Sequence, residues 1–122
     1  MSEEIRISPD GTHVLITSMG PPSLREMTQT LSKLAELRRD HRIDKVLVDS
    51  RARTGQPPVS DIYRGGELLA KSMGRGTRIA VLVGQIEGDH TLFENVALNR
   101  GAVVAFFQRE DLALRWLLMN ER

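Results

Sequence analysis

The chain has 122 residues, 40% hydrophobic and 27% charged, which fits one ordinary globular domain with enough apolar mass for a core. Lys and Arg total 17 against 16 Asp and Glu, so a net charge of +1 supplies no global basic field for nucleic acid. One Trp, one Tyr and three Phe offer little for a base-stacking surface, and the absence of Cys excludes disulfides, thiolate zinc sites and a thiol nucleophile.

In chain order, EIRI and HVLITS flank SPDGT, where Pro9, Asp10 and Gly11 supply turn chemistry, so a β-hairpin is expected. GPPSLREMTQTLSKLAELRRD follows as a helix. Ser23 and Glu26 have capping-box spacing, with Pro22 just outside. Leu24, Met27, Leu31, Leu34 and Leu37 form one apolar stripe, leaving Arg25, Lys33, Arg38 and Arg39 mostly to solvent. KVLVD is apolar on consecutive positions, the mark of a central strand covered on both faces. PPVSDIYRGGELLAKSMG is a second helix, starting near Val59 or Ser60, with Ser60 as its expected N-cap. Ile62, Leu69 and Met73 share a face there. Gly65 and Gly66 each cost about 1 kcal/mol in a helix interior, and close packing against a strand is the expected reason for one of them.

RIAVLVG reads as another central strand. GDHTLFENVALNRG reads as a third helix, with Asp89 at its start and Gly101 as its stop. AVVAFF is the last strand and QREDLALRWLLMN the last helix, with Leu112 and Trp116 at i and i+4. The order ββαβαβαβα implies an α/β fold with a mixed, mostly parallel sheet, right-handed crossovers and an antiparallel edge strand from the hairpin. No linker, repeat or low-complexity tract interrupts residues 1–122, so a single domain is expected.

VLVDSR, the helix opened by PPVSDIYRGGELLA, FENVALNRG and the closing ALRWL together resemble the SpoIIAA-like branch of the STAS domain family, over nearly the whole chain. The resemblance implies a small α/β domain that binds nucleotides, anions, lipids or protein partners and often acts by assembling with others. Its best-known members are anti-anti-sigma factors, phosphorylated by a partner kinase on a serine that opens the second helix in an Asp-Ser-Ser-Gly-like motif. Ser60 is the nearest positional match, with Asp61 and Ile62 where the Ser-Gly pair would follow.

The candidate site lies after the KVLVD strand. Asp49 and Ser50 stand at its carboxyl end, where open α/β sheets place ligands. Arg51 and Arg53 follow on the expected loop into helix two, and two guanidinium groups beside a helix N-terminus would make an anion site. His90, in EGDH after the RIAVLV strand, is expected at the same sheet edge. Glu87, Asp89 and His90 could hold a divalent ion by donor type, but their spacing matches no metal motif, so no metal is expected. Ser60, and secondarily Ser50, are the candidate phosphate acceptors. As a nucleophile Ser50 would need a base and an oxyanion hole, and no G-x-S-x-G elbow or phosphate loop is present. His13 and His41 are isolated.

The resulting expectation is a non-enzymatic, regulatory or ligand-binding domain without a cofactor. It binds a small anionic or lipid-like ligand, or a protein partner, at the carboxyl end of the sheet. The alternatives are a serine-phosphorylation switch of anti-anti-sigma type and a self-associating domain, a homodimer through the apolar excess of LALRWLLM. No apolar run approaches the ~20 residues of a membrane span. ELRRDHRIDK reads as a solvated helix end, with membrane-surface contact as the lesser reading. MSEEIRISPDG lacks a signal-peptide apolar core, so a cytoplasmic location is expected.

Overall fold

A computed structural model describes residues 3–21, 23–54, 58–73, 76–85 and 103–119. Its elements are β1 (Glu3–Ile7), β2 (Val14–Gly20), α1 (Leu24–His41), β3 (Lys45–Arg53), α2 (Val59–Met73), β4 (Arg78–Leu82), β5 (Val103–Phe107) and α3 (Glu110–Leu118). The helix expected over GDHTLFENVALNRG lies outside the described residues.

The five strands lie in the order β1-β2-β3-β4-β5. β1 pairs antiparallel with β2, and the remaining pairs are parallel. The sheet is therefore mixed and mostly parallel with β3 at its centre, where its unbroken apolar run belongs. Successive parallel strands are neighbours, so right-handed crossovers put α1 and α2 on one face. There Leu31, Leu34 and Leu69 pack with Val14, Ile16, Val46, Ile79 and Val104. α3 covers the other face, burying Ala113 and Leu117 against Leu47, Ala80 and Leu82.

The hairpin turn is organised by Asp10. Its Oδ1 accepts from the Ser8 hydroxyl at 2.7 Å, the Thr12 hydroxyl at 2.8 Å and the Thr12 amide at 3.2 Å. These donors hold the Asp10 carboxyl at about 2. Gly11, at φ 75, takes the left-handed position that a side chain would resist. Thr12 has one hydroxyl proton, given to Asp10, so its oxygen accepts from His13 Nδ1–H at 2.9 Å.

Burial pushes buried His13 below its ordinary 6.5, against the opposing pull of the Asp10 and Glu110 carboxylates. The unfolded chain then takes up the proton more readily than the folded one. Stability is full above 6.5 and falls as the pH drops from there toward the lowered folded value. His13→Asn, which keeps a donor toward Thr12 without titrating, is expected to flatten that slope. Urea midpoints at about pH 5.5 and about pH 7.5 check it, the wild type losing more than the variant on acidification.

α1 starts where its sequence indicates. Ser23 is the N-cap, and its hydroxyl accepts from the Glu26 amide at 3.2 Å. Leu31 and Leu34 are buried, with Met27 and Leu37 partly covered beside them. The helix ends at Arg42 in the left-handed region, φ 57, whose amide donates to the Arg38 carbonyl at 2.7 Å. Arg38 itself is half-buried, with an Nε that solvent does not reach, so it is less exposed than its place on the polar side of the stripe implies.

Three further expectations change. α2 begins at Val59, so Ser60 is its second residue and the cap position falls on Pro58, whose carbonyl accepts from the Asp61 and Ile62 amides. Gly65 and Gly66 are both buried, and among the described residues the close backbone approach of α2 is to α1, not to a strand. On α3 the buried stripe is Ala113 and Leu117, with Leu114 and Trp116 partly covered, while Leu112 is exposed. A nine-residue helix lying on one sheet face buries a single stripe, and Leu112 falls outside it. Trp116 is held by Phe107, ring centroids 5.6 Å apart, and by the buried Arg78 guanidinium 4.4 Å over its ring.

Candidate ligand site at the carboxyl end of the sheet

β3 does not stop at Asp49. It continues to Arg53 because β2 continues beside it, Met19 opposite Ala52 and Gly20 opposite Arg53. Arg51 and Arg53 are thus strand residues, not the loop residues expected from sequence, and Ser50 lies inside the strand and not at its end. The continuation is irregular. Between Thr17↔Asp49 and Met19↔Ala52, β2 advances two residues and β3 three, which is a β-bulge.

The bulge decides where the two arginines go. In a regular strand Arg51 and Arg53 would share a face. Here Arg51 turns to the α3 side, where its NH2 lies 3.7 Å from Glu110 Oε1 at the helix start. Arg53 comes out on the α1 side, opposite Gly20, and donates to Glu3 Oε2 at 2.5 Å. The bulge therefore separates the guanidinium pair that the spacing brings together.

Arg51 is an exposed, ordered cation. Its Nε and NH2 donate to Asp49 Oδ1 and Oδ2 at 2.9 and 2.7 Å, and its amide donates to Oδ1 at 3.1 Å. The Arg51 hydrogen bond is the main reason that the Asp49 carboxyl lies below its ordinary value, against the effect of partial burial. The same bond raises Arg51 above its ordinary value. Its side chain is 45% exposed, and NH1 has no partner among the described residues.

Arg53 is a structural cation. NH1 donates to the carbonyls of Pro21 at 2.8 Å and Met19 at 3.3 Å, and NH2 meets Glu3, whose carboxylate also accepts from Ser18 and Thr30. The network ties the first strand to the end of the central one and to α1.

Ser50 is half-buried inside β3, and Ser60 is exposed in the first turn of α2. No hydrogen bond or ion pair joins Ser60 to Asp49 or Arg51. His90, with Glu87 and Asp89, lies outside the described residues. Among the described residues no group of His, Asp and Glu could hold a metal ion, and no helix is long and apolar enough to cross a membrane. Glu110 is the residue that sequence reading missed. Far from Arg51 in the chain, it arrives because α3 begins at the carboxyl end of β5. A neighbouring pair completes that rim, Arg109 with Asp111, NH2 to Oδ2 at 2.7 Å.

No protein-family model and no curated protein matches the chain. Among solved structures it is similar to an uncharacterized protein of the DUF3478 family with a SpoIIAA-like fold from Shewanella loihica PV-4. The two are 20% identical with a TM-score of 0.57, over 94% of this chain and 91% of that one. That agreement, with the strand order and pairing above, shows that the chain has the SpoIIAA-like, STAS-type fold that its sequence resembles.

Proposed function

We propose that this domain is a non-enzymatic regulatory module that takes the anionic group of a small ligand or protein partner on Arg51, at the carboxyl end of the central strand. The observation that carries the reading is an exposed guanidinium held in place by Asp49 through one edge, with NH1 left open. An arginine already fixed by a carboxylate loses little side-chain entropy when an anion docks on its remaining edge. Glu110, 3.7 Å away, limits the site by competing for the same cation, which favours a ligand of more than one negative charge.

Titration with inorganic phosphate, followed by amide NMR, is the test. The amides of Arg51, Ala52 and Glu110 are expected to shift together. Arg51→Ala abolishes the response, and Arg51→Lys weakens it by about tenfold, because an ammonium cannot bond Asp49 and the anion through separate edges. Arg53→Ala leaves the phosphate response in place and lowers stability instead. A response unchanged in Arg51→Ala overturns the assignment. Phosphate found covalently on Ser60 in protein from its own host replaces it with the phosphorylation switch.

A further inference from the structure

The sheet ends at β1, which pairs only with β2 among the described residues. Its sequence is Glu3-Glu4-Ile5-Arg6-Ile7. Ile5 and Ile7 turn to the α1 face, where they pack only partly against the core, as does Leu37 of α1. Glu4 and Arg6 turn to the opposite face, are exposed, and make no ion pair among the described residues.

This strand is self-complementary. Laid antiparallel against a second copy about a two-fold axis at Ile5, it places Glu4 opposite Arg6 of that copy and Arg6 opposite its Glu4. Ile5 then meets Ile5, and Glu3 meets Ile7. The arrangement is the same whichever backbone groups of β1 point outward, because the axis passes through the middle residue. Registers centred on Glu4 or on Arg6 instead oppose two like charges, which cross-strand pairing disfavours. Charges on an edge strand ordinarily discourage edge-to-edge pairing. Here the two signs flank one apolar residue, so they oppose the wrong registers and favour one. The axis also keeps both copies of α1 on the same side, where the half-covered Ile5, Ile7 and Leu37 gain cover from their counterparts.

We propose that β1 is a homodimer interface, pairing antiparallel with β1 of a second copy in the register centred on Ile5 and joining the two sheets into one. The occupant is a second copy of this chain and not an arbitrary extended peptide, because the charge order matches its own reverse. The interface is independent of the anion site on Arg51.

Sedimentation velocity over a concentration series tests it. The protein is expected to show a reversible monomer–dimer equilibrium. Glu4→Arg alone, or Arg6→Glu alone, weakens association by about tenfold, since either opposes like charges at both symmetry-related positions. The double variant Glu4→Arg with Arg6→Glu restores the pairs with reversed polarity and is expected to regain wild-type association within about threefold. Both residues are exposed, so unchanged thermal melts of the single variants separate lost association from lost folding. Hydrogen exchange at β1 should slow as concentration rises in wild type and double variant alone. A monomer at every concentration overturns the proposal. So does a dimer indifferent to the charge changes, or one abolished by Leu118→Asp on the outer side of α3 while the Glu4 and Arg6 variants still dimerise.

Discussion

Glu3→Ala is expected to destabilise the domain by about 3 kcal/mol. The Glu3 side chain is 10% exposed, and its carboxylate accepts from Arg53, Ser18 and Thr30. Removing it leaves the Arg53 guanidinium, 18% exposed, without its counter-charge beside the carbonyls of Met19 and Pro21. An uncompensated, mostly buried cation costs more than the pair contributed, and the two hydroxyls lose their acceptor as well. Residual exposure moderates the loss, which places it at the lower end of the 3–5 kcal/mol seen for fully buried pairs. Urea denaturation gives the value directly, and the Glu3→Ala, Arg53→Ala cycle isolates the pair. A coupling energy near zero would mean that solvent screens the contact. Glu3 sits at the end of an edge strand, so the loss should concentrate there, with hydrogen exchange faster in β1 than in β3.

Leu117→Ala is expected to cost about 3 kcal/mol, within the range for a fully buried Leu that leaves a cavity. Leu117 is completely buried on the α3 face of the sheet, with Leu47, Ala80, Leu82 and Ala113. α3 has only nine residues, too few for a stable helix in isolation, so its order depends on that apolar stripe. Its loosening removes the cover from Leu47 and Leu82 and displaces Glu110 from Arg51. The variant should therefore also perturb the amide signals of Asp49 and Arg51, which a cavity confined to the helix would leave alone. Leu112→Ala, on the exposed side of the same helix, is the control and should change stability by less than about 0.5 kcal/mol.

The anion reading and the dimer reading rest on different margins of the sheet and fail separately. Arg51 lies at the carboxyl end of the central strand, whereas Glu4 and Arg6 lie along the outer edge. Arg51→Ala should leave association intact, and the Glu4 and Arg6 changes should leave phosphate shifts at Arg51 intact.

Periodicity was enough for the elements whose burial is one-sided and local. Leu31 and Leu34 marked the inner face of α1, Ser23 its start, and the unbroken KVLV run the central strand, because helix and strand periods follow from backbone geometry alone. The hairpin was equally legible, since Asp10 and Gly11 act on their immediate neighbours. The mixed sheet follows from the order of such elements, with crossover handedness supplying the rest.

Tertiary pairing decided everything that depends on two distant segments. β3 runs past Asp49 because β2 offers it a partner, and no residue in SRAR announces that extension. The bulge opposite Thr17 and Met19 sends Arg51 to one face and Arg53 to the other, so two arginines with the same local spacing become an exposed cation and a partly buried tie. Leu112 resembles Leu117 in sequence, yet the seat of α3 on β3, β4 and β5 buries only the latter. Local chemistry determined which elements this chain forms. Which side chains meet was left to register and packing, because a shift of one residue in a strand turns a side chain to the other face.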